Sequence, residues 1–309
     1  MGEPAGIGGE IALKAWVKHA AAPFFAIDSV GRLQALAARF GIPCPVKAIA
    51  APEEAAAVFG EALPVLPLPV PLATAVSPGA PDERNGPAVV GAIDLAVTLA
   101  KAGRIGGFVT NPINKAVLRK SGFAFPGHTE YLGHLAGGKP AVMMLAIAGL
   151  RVVPVTVHLA LKDVPPALTQ DGIVACGRIL DAALRTDFGL KAPRIAVAGL
   201  NPHAGEEGLF GDEEIRVISP AIGRARAQGW DVSGPWPGDT VFMKARHDPP
   251  RHPGAFDVVV AMYHDQGLIP VKYLGVEQGV NVTLGLPFVR TSPDHGTAFD
   301  IVGLHRADA

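Results

Sequence analysis

Three apolar, strand-like runs of this chain each end close to a histidine. The runs and the histidines that follow them are Val152–Val157 with His158, Arg194–Leu200 with His203, and Phe256–Tyr263 with His264. Short Val/Ile-rich runs are typical of strands buried on both faces of a parallel sheet, and ligands bind beyond the carboxyl ends of such strands. Imidazole is the commonest metal ligand near neutral pH, and three of them leave a fourth position for a substrate oxygen. Each histidine alone could be a polar strand cap, but together they predict a catalytic divalent-metal site.

Further polar residues follow the third histidine at intervals. Lys272, Asn281 and Arg290 lie among apolar residues, glycines and prolines. Three such donors on separate loops of an α/β crevice would suit a phosphorylated or carboxylated substrate, although solvated surface positions are the simpler alternative. Earlier in the chain, His128 and Thr129 follow a Pro-Gly turn, where they could bind a substrate's polar groups or form an ordinary helix start.

Two glycine-containing segments could approach a ligand. In the loop His295–Gly303, Gly296 permits close backbone approach, and Asp300 could accept hydrogen bonds from a ribose or orient the loop. The turn Gly2–Gly8 lacks the Lys-Ser/Thr of a P-loop and the spacing of a dinucleotide fingerprint. It is either a tight turn into a helix or a ligand contact.

Composition limits the class of protein. The chain has 309 residues, 49% of them hydrophobic and 18% charged, which suits two globular domains. The net charge is −1 and there is no Lys/Arg run, which argues against nucleic acid and anionic membranes as partners. Cys44 and Cys176 cannot form a disulfide framework or a metal motif, so a reducing cytoplasm is expected. No signal peptide is visible, and the apolar stretch 141–161 contains Arg151 and Pro154, which favours two strands over a membrane helix.

The remaining pattern alternates strands and helices, which predicts an α/β fold with right-handed crossovers. We expect an irregular Pro-rich connection over 63–81 and a short strand over 106–110. Helices are expected over 9–20, 29–40, 48–60, 85–102, 172–188 and 212–228.

Five motifs resemble the 4-hydroxythreonine-4-phosphate dehydrogenase family of pyridoxal phosphate biosynthesis. They occur in the family's order over nearly the whole chain and comprise Gly2–Gly8, Gly127–Leu132, Asn201–Glu206, Tyr263–Lys272 and Thr291–Ile301. Relative to that family the chain lacks the strand before Gly2 and the final helix.

The resemblance implies a fold and a domain division. The fold would be two α/β/α domains with a cleft between them, like isocitrate and isopropylmalate dehydrogenases, which bind NAD without a Rossmann glycine fingerprint. The first domain would comprise residues 1–126 plus about 290–309. The second, 127–289, would carry the metal histidines and the interface of a homodimer.

The resemblance also implies the roles of individual residues. His158, His203 and His264 would hold a divalent metal at the dimer interface, with the third histidine supplied by the partner subunit. By ligand type the metal would be Zn²⁺, with Mg²⁺, Mn²⁺ or Co²⁺ as alternatives. The substrate would contact His128, Thr129, Lys272, Asn281 and Arg290, and NAD would contact the loop with His295, Gly296 and Asp300. Lys272 is a candidate catalytic residue, and Asp265 or Lys115 could be the general base.

The implied reaction is the NAD-dependent oxidation of 4-phosphooxy-L-threonine, followed by decarboxylation to 3-amino-2-oxopropyl phosphate. Three alternatives stay open. The chain could be a paralogue that oxidises 4-phospho-threonate or 4-phospho-erythronate with the same metal and cofactor. A metallohydrolase could use three histidines to activate water, although the His295–Gly303 loop argues against it. A folded but inactive binding protein is the third.

Overall fold

The computed structural model describes residues 1–18 and 22–309, which form two compact units. The first unit comprises Met1–Gly138 and Pro287–Ala309, and the second comprises Lys139–Leu286. The first unit thus extends beyond the boundary expected at residue 126. The reason is local packing: the Tyr131 ring contacts Phe123 and Phe125, and its hydroxyl donates a hydrogen bond to Asp94.

The helices follow the apolar periodicity of the sequence. In α8, for example, Ile173, Cys176, Leu180 and Leu184 are buried along one face, and the Thr169 hydroxyl caps the first turn by accepting from the Gly172 amide at 3.0 Å. No helix among the described residues is long and apolar enough to cross a membrane. The helices are α1 (Gly8–Val17), α2 (Val30–Arg39), α3 (Ala55–Phe59), α4 (Gly86–Lys101), α5 (Lys115–Lys120), α6 (His128–Leu135), α7 (Val164–Ala167), α8 (Gln170–Thr186), α9 (Ser219–Ala227), α10 (Val241–Ala245) and α11 (His264–Gly275).

Thirteen strands, most of them short, lie between these helices in the described part of the chain. They are β1 (Ala26–Asp28), β2 (Val46–Ala48), β3 (Leu63–Pro67), β4 (Phe108–Val109), β5 (Val142–Ile147), β6 (Leu150–Pro154), β7 (Arg194–Ala198), β8 (Asp231–Trp236), β9 (His247–Asp248), β10 (His252–Pro253), β11 (Val258–Ala261), β12 (Val280–Leu284) and β13 (Arg290–Pro293).

The first unit contains a parallel sheet of strand order β1-β3-β2 with helices on both faces. Leu13 of α1 and Leu33 of α2 pack on one face, whereas Leu99 of α4 packs with Leu66 on the other. Strands β4 and β13 pair in parallel in the same unit. This pairing places Arg290 at the start of a strand beside Phe108.

The expected irregular connection over 63–81 is wrong at its start, because β3 is the central strand of this sheet. The Pro-rich composition of this stretch had favoured an irregular connection. Pro64 precedes the pairing with β1, which begins at Val65, and Pro67 is the last residue of the strand. The missing N–H groups therefore lie at the ends of the hydrogen-bonded ladder with β1.

Three of the expected helices differ from the structure in length or in helix type. The region 48–60 begins with the last residue of β2, and a single 3₁₀ turn from Pro52 leads into the five-residue helix α3. The region 212–228 begins with a π-helical turn, Glu214–Ile218, before α9. The first helix, expected over 9–20, is Gly8–Val17 with Lys18 as its C-cap, and residues 19 and 20 of the expected range lie outside the described residues.

The second unit is an α/β/α sandwich around a sheet of strand order β12-β5-β6-β11-β7-β8. Strands β6, β11, β7 and β8 are parallel, and β5 runs antiparallel to both neighbours. One face packs on Leu180 of α8 and Ile222 of α9, and the other on Val241 of α10 and Leu268 of α11. The three strands expected before the histidines are therefore present as β6, β7 and β11, with β11 hydrogen-bonded between the other two.

Candidate active site

The ends of β6 and β11 bring two of the predicted metal ligands together. The imidazole centroids of His158 and His264 lie 5.7 Å apart at an interplanar angle of 39°. Beyond β6, the chain stays bonded to the end of β11: the Val155 amide donates to the Ala261 carbonyl at 2.8 Å, and the Thr156 hydroxyl donates to the Met262 carbonyl at 2.8 Å. This extension of the ladder holds the two histidines side by side.

Asp265 determines which nitrogen of His264 is available to a ligand. Its Oδ1 lies 2.7 Å from Nδ1 of His264. An ionised carboxylate can only accept, so Nδ1 is the donor of this hydrogen bond, and in the neutral imidazole the lone pair then lies on Nε2. A carboxylate in this position is the usual orienting partner of a metal-bound histidine. The sequence had suggested Asp265 as a general base, and the structure adds this contact with His264.

The first turn of α11 is tied to two strand ends by a residue that the sequence reasoning missed. Gln266 accepts from the Met262 amide at 2.7 Å through Oε1 and donates to the Gly199 carbonyl at 2.7 Å through Nε2. The adjacent Gly267 lets the helix pack closely, because a Cβ there would lie 2.6 Å from a methyl group of Val152. Gln266 lies in the motif Tyr-His-Asp-Gln-Gly, but nothing in its residue type distinguishes this bridging role.

His203 lies on a different kind of loop. Five successive residues, His203–Glu207, have positive φ values between 43° and 84°, and only Gly205 adopts them without strain. The buried carboxylate of Glu214 supports the loop: it accepts from the amides of Leu200 and Asn201, both at 2.7 Å, and from Nδ2 of Asn201 at 2.9 Å. Sequence reasoning did not identify Glu214, which lies in an unremarkable Asp-Glu-Glu run.

The spacing of His158 and His264 is compatible with binding of one metal ion by both rings, but the described part of the chain does not bring a third ligand to them. With metal–nitrogen bonds of about 2.0–2.1 Å, two imidazoles on one tetrahedral ion have centroids roughly 5–5.5 Å apart. The observed 5.7 Å is close to that spacing. His203 is exposed, with Phe210 as its ring contact. No group of three His, Cys, Asp or Glu side chains able to hold a metal occurs within residues 1–18 and 22–309.

The other predicted groups of this unit lie on the α11 side of the sheet. Lys272 is an exposed residue of α11, two turns beyond His264. Asn281 of β12 pairs with Leu145 of β5, and Leu145 belongs to the apolar layer that α11 covers. The structure therefore places Lys272 and Asn281 on the same side of the sheet as the first turn of α11.

In the first unit, His128 occupies an environment that keeps its imidazole neutral. It is the first residue of α6, and its Nε2 is buried without a hydrogen-bond partner. Burial, and then the positive charge of Arg290, lower the pKa of His128 to about 3. The predicted neighbour Thr129 follows in the first turn of the helix.

Arg290 is buried, with 4% of its surface exposed. Its Nε and Nη2 donate to the Thr110 hydroxyl at 3.0 and 2.5 Å. Burial lowers the pKa of the guanidinium to about 10, which leaves it cationic at neutral pH. Lys115 lies nearby, since a Cβ on Gly127 would be 3.8 Å from its ammonium group. A guanidinium, an ammonium group and a helix N-terminus suit an anionic substrate group.

The predicted cofactor loop packs on the N-terminal turn of the same unit. The Ile7 amide donates to the Thr297 carbonyl at 3.2 Å, and a Cβ on Gly6 would lie 2.8 Å from that oxygen. Close packing against Thr297 therefore explains why residue 6 is a glycine. His295, Gly296 and Asp300 are exposed, and a Cβ on Gly296 would meet no protein atom within 4 Å.

Layered α/β units with polar side chains beyond their strand ends are typical of the class of α/β proteins that bind small molecules there. A family model described as pyridoxal phosphate biosynthetic protein PdxA matches residues 20–309. The chain is 50% identical to the 4-hydroxythreonine-4-phosphate dehydrogenase of Methylorubrum populi, over 98% of this chain and 87% of that protein. This chain therefore belongs to the PdxA family of pyridoxal phosphate biosynthesis.

Two solved structures extend the comparison. A crystal structure of 4-hydroxythreonine-4-phosphate dehydrogenase from Klebsiella pneumoniae has a TM-score of 0.88 and 41% identity, over 100% of this chain and 93% of that one. A terephthalate 1,2-cis-dihydrodiol dehydrogenase from Burkholderia xenovorans has a TM-score of 0.66 and 28% identity, over 99% of this chain and 91% of that one. The predicted family, the α/β fold and the dehydrogenase class are thereby confirmed.

Proposed function

We propose that this chain catalyses the NAD-dependent and divalent-metal-dependent oxidation of 4-phosphooxy-L-threonine, with decarboxylation to 3-amino-2-oxopropyl phosphate. The observation that carries the proposal is the His158–His264 pair, in which Asp265 leaves Nε2 of His264 available. The names of the relatives support the substrate, since 4-hydroxythreonine 4-phosphate is the same compound.

The substrate would be held by charged and polar side chains. In the first unit, Arg290, Thr129 and the neutral His128 would bind an anionic group of the substrate, with Lys115 adding positive charge. A neutral imidazole can donate one hydrogen bond and accept another, so His128 can bind either an ester or a hydroxyl oxygen. In the second unit, Lys272 and Asn281 would contact the remaining polar groups.

The catalytic residues would act by orientation and proton transfer. A bound divalent ion would supply Lewis acidity at the substrate hydroxyl, and NAD would accept the hydride. Asp265 would keep the proton of His264 on Nδ1, so that Nε2 always faces the ion. Asp265 is our candidate for the group that receives the proton of the hydroxyl, and Lys272, on the same helix, would add positive charge beside the substrate.

A homodimer with a shared site would complete the ligand set. His203, in place of the His264 that the resemblance implied, would reach the metal of the partner subunit, because His203 is exposed and His158 and His264 lie side by side in this chain. Large exposed apolar side chains next to the histidine-bearing segments support an interface in the second unit: Leu159 is 48%, Leu161 66% and Leu209 73% exposed. Sedimentation analysis should show a dimer, and Leu209→Lys should shift it toward the monomer.

NAD would bind at the loop of His295, Gly296 and Asp300. The open space at the Gly296 Cβ position would let a ligand approach the backbone, and the exposed Asp300 carboxylate could accept from ribose hydroxyls. Zn²⁺ is the proposed metal by ligand type, with Mg²⁺, Mn²⁺ and Co²⁺ as alternatives.

The experiment that tests the proposal measures NADH formation by the full chain with a panel of substrates. We expect NADH and CO₂ from 4-phosphooxy-L-threonine. NADH formation only with 4-phospho-threonate or 4-phospho-erythronate would show that the proposed substrate is wrong and that the proposed NAD-dependent oxidation is right. Terephthalate dihydrodiol belongs in the panel, since a relative of the same fold is named for it. Absence of NADH formation with every substrate would refute the proposed dehydrogenase activity.

A further inference from the structure

The hydrogen-bonded ladder between β11 and β7 stops before these strands reach the predicted metal ligands. Its last paired residues are Val260 and Val197. Beyond them, the backbone at the two strand ends needs other hydrogen-bond partners, because both Met262 and Gly199 are buried. The side chain of Gln266, in the first turn of α11, supplies a partner to each of the two strand ends.

Gln266 takes the place of a rung of the ladder with its side-chain amide. Oε1 accepts from the Met262 amide at 2.7 Å, and Nε2 donates to the Gly199 carbonyl at 2.7 Å. An N–H of one strand and a C=O of its neighbour are thus joined through a group with the polar atoms of a peptide bond. A carboxylate cannot donate to the carbonyl, and an ammonium group cannot accept from the N–H. Among side chains of this length, the two contacts together therefore require an amide.

The Met262 end of this bridge is connected to both histidines of the side-by-side pair. Thr156, two residues before His158, donates its hydroxyl to the Met262 carbonyl at 2.8 Å. His264 follows Met262 by two residues and is the first residue of α11, in the same helical turn as Gln266. The position of the Met262 backbone therefore affects the orientation of both rings.

The Gly199 end of the bridge is connected to the loop that carries His203. The Gly199 amide donates to the carbonyl of Trp236 on β8 at 2.7 Å, so this residue is held at its N–H and at its C=O. The loop folds back onto it, because a Cβ on Gly199 would lie 2.9 Å from Cα of Ala204, the neighbour of His203. The same Cβ would lie 3.0 Å from a carboxylate oxygen of Glu214, which supports this loop. The position of Gly199 therefore determines where the loop begins.

We propose that Gln266 is a positioning residue of the metal site, which fixes the spacing between the histidine pair and the segment that carries His203. Both polar atoms of its amide are engaged with backbone groups, so it acts through the two strand ends and not as a ligand. A two-fold dimer contains every contact twice, so each chain must fit its own metal and that of its partner at once. The inference rests on the proposed metal-dependent function and assigns the ligand spacing to a side chain outside the ligand set.

The test compares two variants of the full chain with matched controls. Gln266→Met keeps the length of the side chain but removes both hydrogen bonds. Gly238→Ala leaves Gln266 in place and displaces its amide slightly, because the new Cβ would lie 3.0 Å from Nε2. The first control, Gln228→Met, removes a bond to the Arg224 carbonyl at the end of α9. The second is Gly223→Ala, where a Cβ would meet no atom of the described residues within 4 Å.

Three measurements are made on each protein. The Kd of Zn²⁺ is determined by competition with a chromogenic chelator. The absorption spectrum of the Co²⁺-loaded chain reports the coordination geometry of the ion. The values of kcat and KM are determined at saturating Zn²⁺, and circular dichroism of the metal-free chain shows whether each variant is folded.

We expect Gln266→Met to raise the Kd of Zn²⁺ about ten- to a hundredfold, the usual loss when a group that orients a metal ligand is removed. The Co²⁺ spectrum should change, and kcat should fall about tenfold while the KM of NAD stays the same. Gly238→Ala should raise the Kd about threefold, because it displaces the amide by less than an ångström. Both controls should match the wild type. A merely structural role would lower the melting temperature but leave the Kd and the Co²⁺ spectrum of the folded chain unchanged.

An unchanged Kd of Zn²⁺ and an unchanged Co²⁺ spectrum in folded Gln266→Met would overturn the proposal. If that variant does not fold, Gly238→Ala replaces it, and an affinity equal to that of the wild type would overturn the proposal.

The positioning role and the proposed function fail in different ways. A wild-type chain that binds Zn²⁺ in a manner dependent on Gln266 but oxidises no substrate would refute the function and keep the positioning role. Metal-dependent turnover that is insensitive to Gln266→Met would do the reverse. A wild-type chain that binds no Zn²⁺ would overturn the positioning role whatever its activity.

Discussion

Replacing Glu214 should loosen the loop that presents His203. The loop contains four residues other than glycine in the left-handed conformation, each of which costs about 1–2 kcal/mol. The Glu214 carboxylate offsets part of this cost with its bonds to Leu200 and Asn201. In Glu214→Gln, one amide oxygen can still accept from the two backbone N–H groups. The amide nitrogen, however, would face the Nδ2 donor of Asn201.

The expected loss is that of one hydrogen bond to a charged group, about 2 kcal/mol of the free energy of unfolding. For a unit of this size that corresponds to a decrease in Tm of about 4–8 °C. Glu214→Ala leaves both backbone donors without an acceptor and should cost more. Differential scanning calorimetry measures the stability, and hydrogen exchange of residues 199–209 measures the loop itself.

The matched control is Glu207→Gln in the same loop. Glu207 is exposed, so its substitution should change the free energy of unfolding by no more than about 0.5 kcal/mol. An unchanged Tm for Glu214→Gln, with unchanged exchange protection of the loop, would refute the view that this carboxylate supports the left-handed conformation.

Two further predictions concern the first unit. The pKa of His128 is about 3 in the folded chain and about 6.5 in the unfolded chain, so only the unfolded state gains the proton between these values. Stability should therefore fall as the pH decreases below 6.5, by about 2 kcal/mol at pH 5. The free energy of unfolding of His128→Gln, measured by denaturant titration, should lack this part of the pH dependence. If it depends on pH as strongly as that of the wild type, the prediction is wrong. Gly6→Ala should push the Thr297 carbonyl away and raise the KM of NAD several-fold, whereas Gly31→Ala, where a Cβ meets no atom within 4 Å, should not.

The sequence predicted those parts of the fold that depend on local pattern. Buried Val/Ile runs identified β6, β7 and β11, and helical spacing identified α2, which the structure shows to be capped by Ser29. Strand β3 was missed because the segment is Pro-rich, and Pro64 is tolerated because the staggered pairing with β1 begins only at Val65. That stagger is a property of the tertiary structure and leaves no local signal.

The same distinction applies to the candidate site. Strand-end positions predicted that histidines would lie close together, and they do so for His158 and His264. The left-handed loop that carries His203 is supported by Glu214, which is eleven residues away in the sequence. The loop itself contains no residue pattern that predicts this conformation. The sequence predicted that His128 contacts the substrate, but its buried Nε2 and depressed pKa follow from packing and have no local signal.

The most direct test of the account is the restoration of activity by metal. The chain is treated with a chelator and then with Zn²⁺, and NADH formation from 4-phosphooxy-L-threonine is followed for the wild type, His264→Ala and His252→Ala. His252, on β10 of the same unit, is not among the predicted ligands. The account predicts that Zn²⁺ restores the wild type and His252→Ala but leaves His264→Ala inactive. Full activity after chelation, or in His264→Ala, would contradict it.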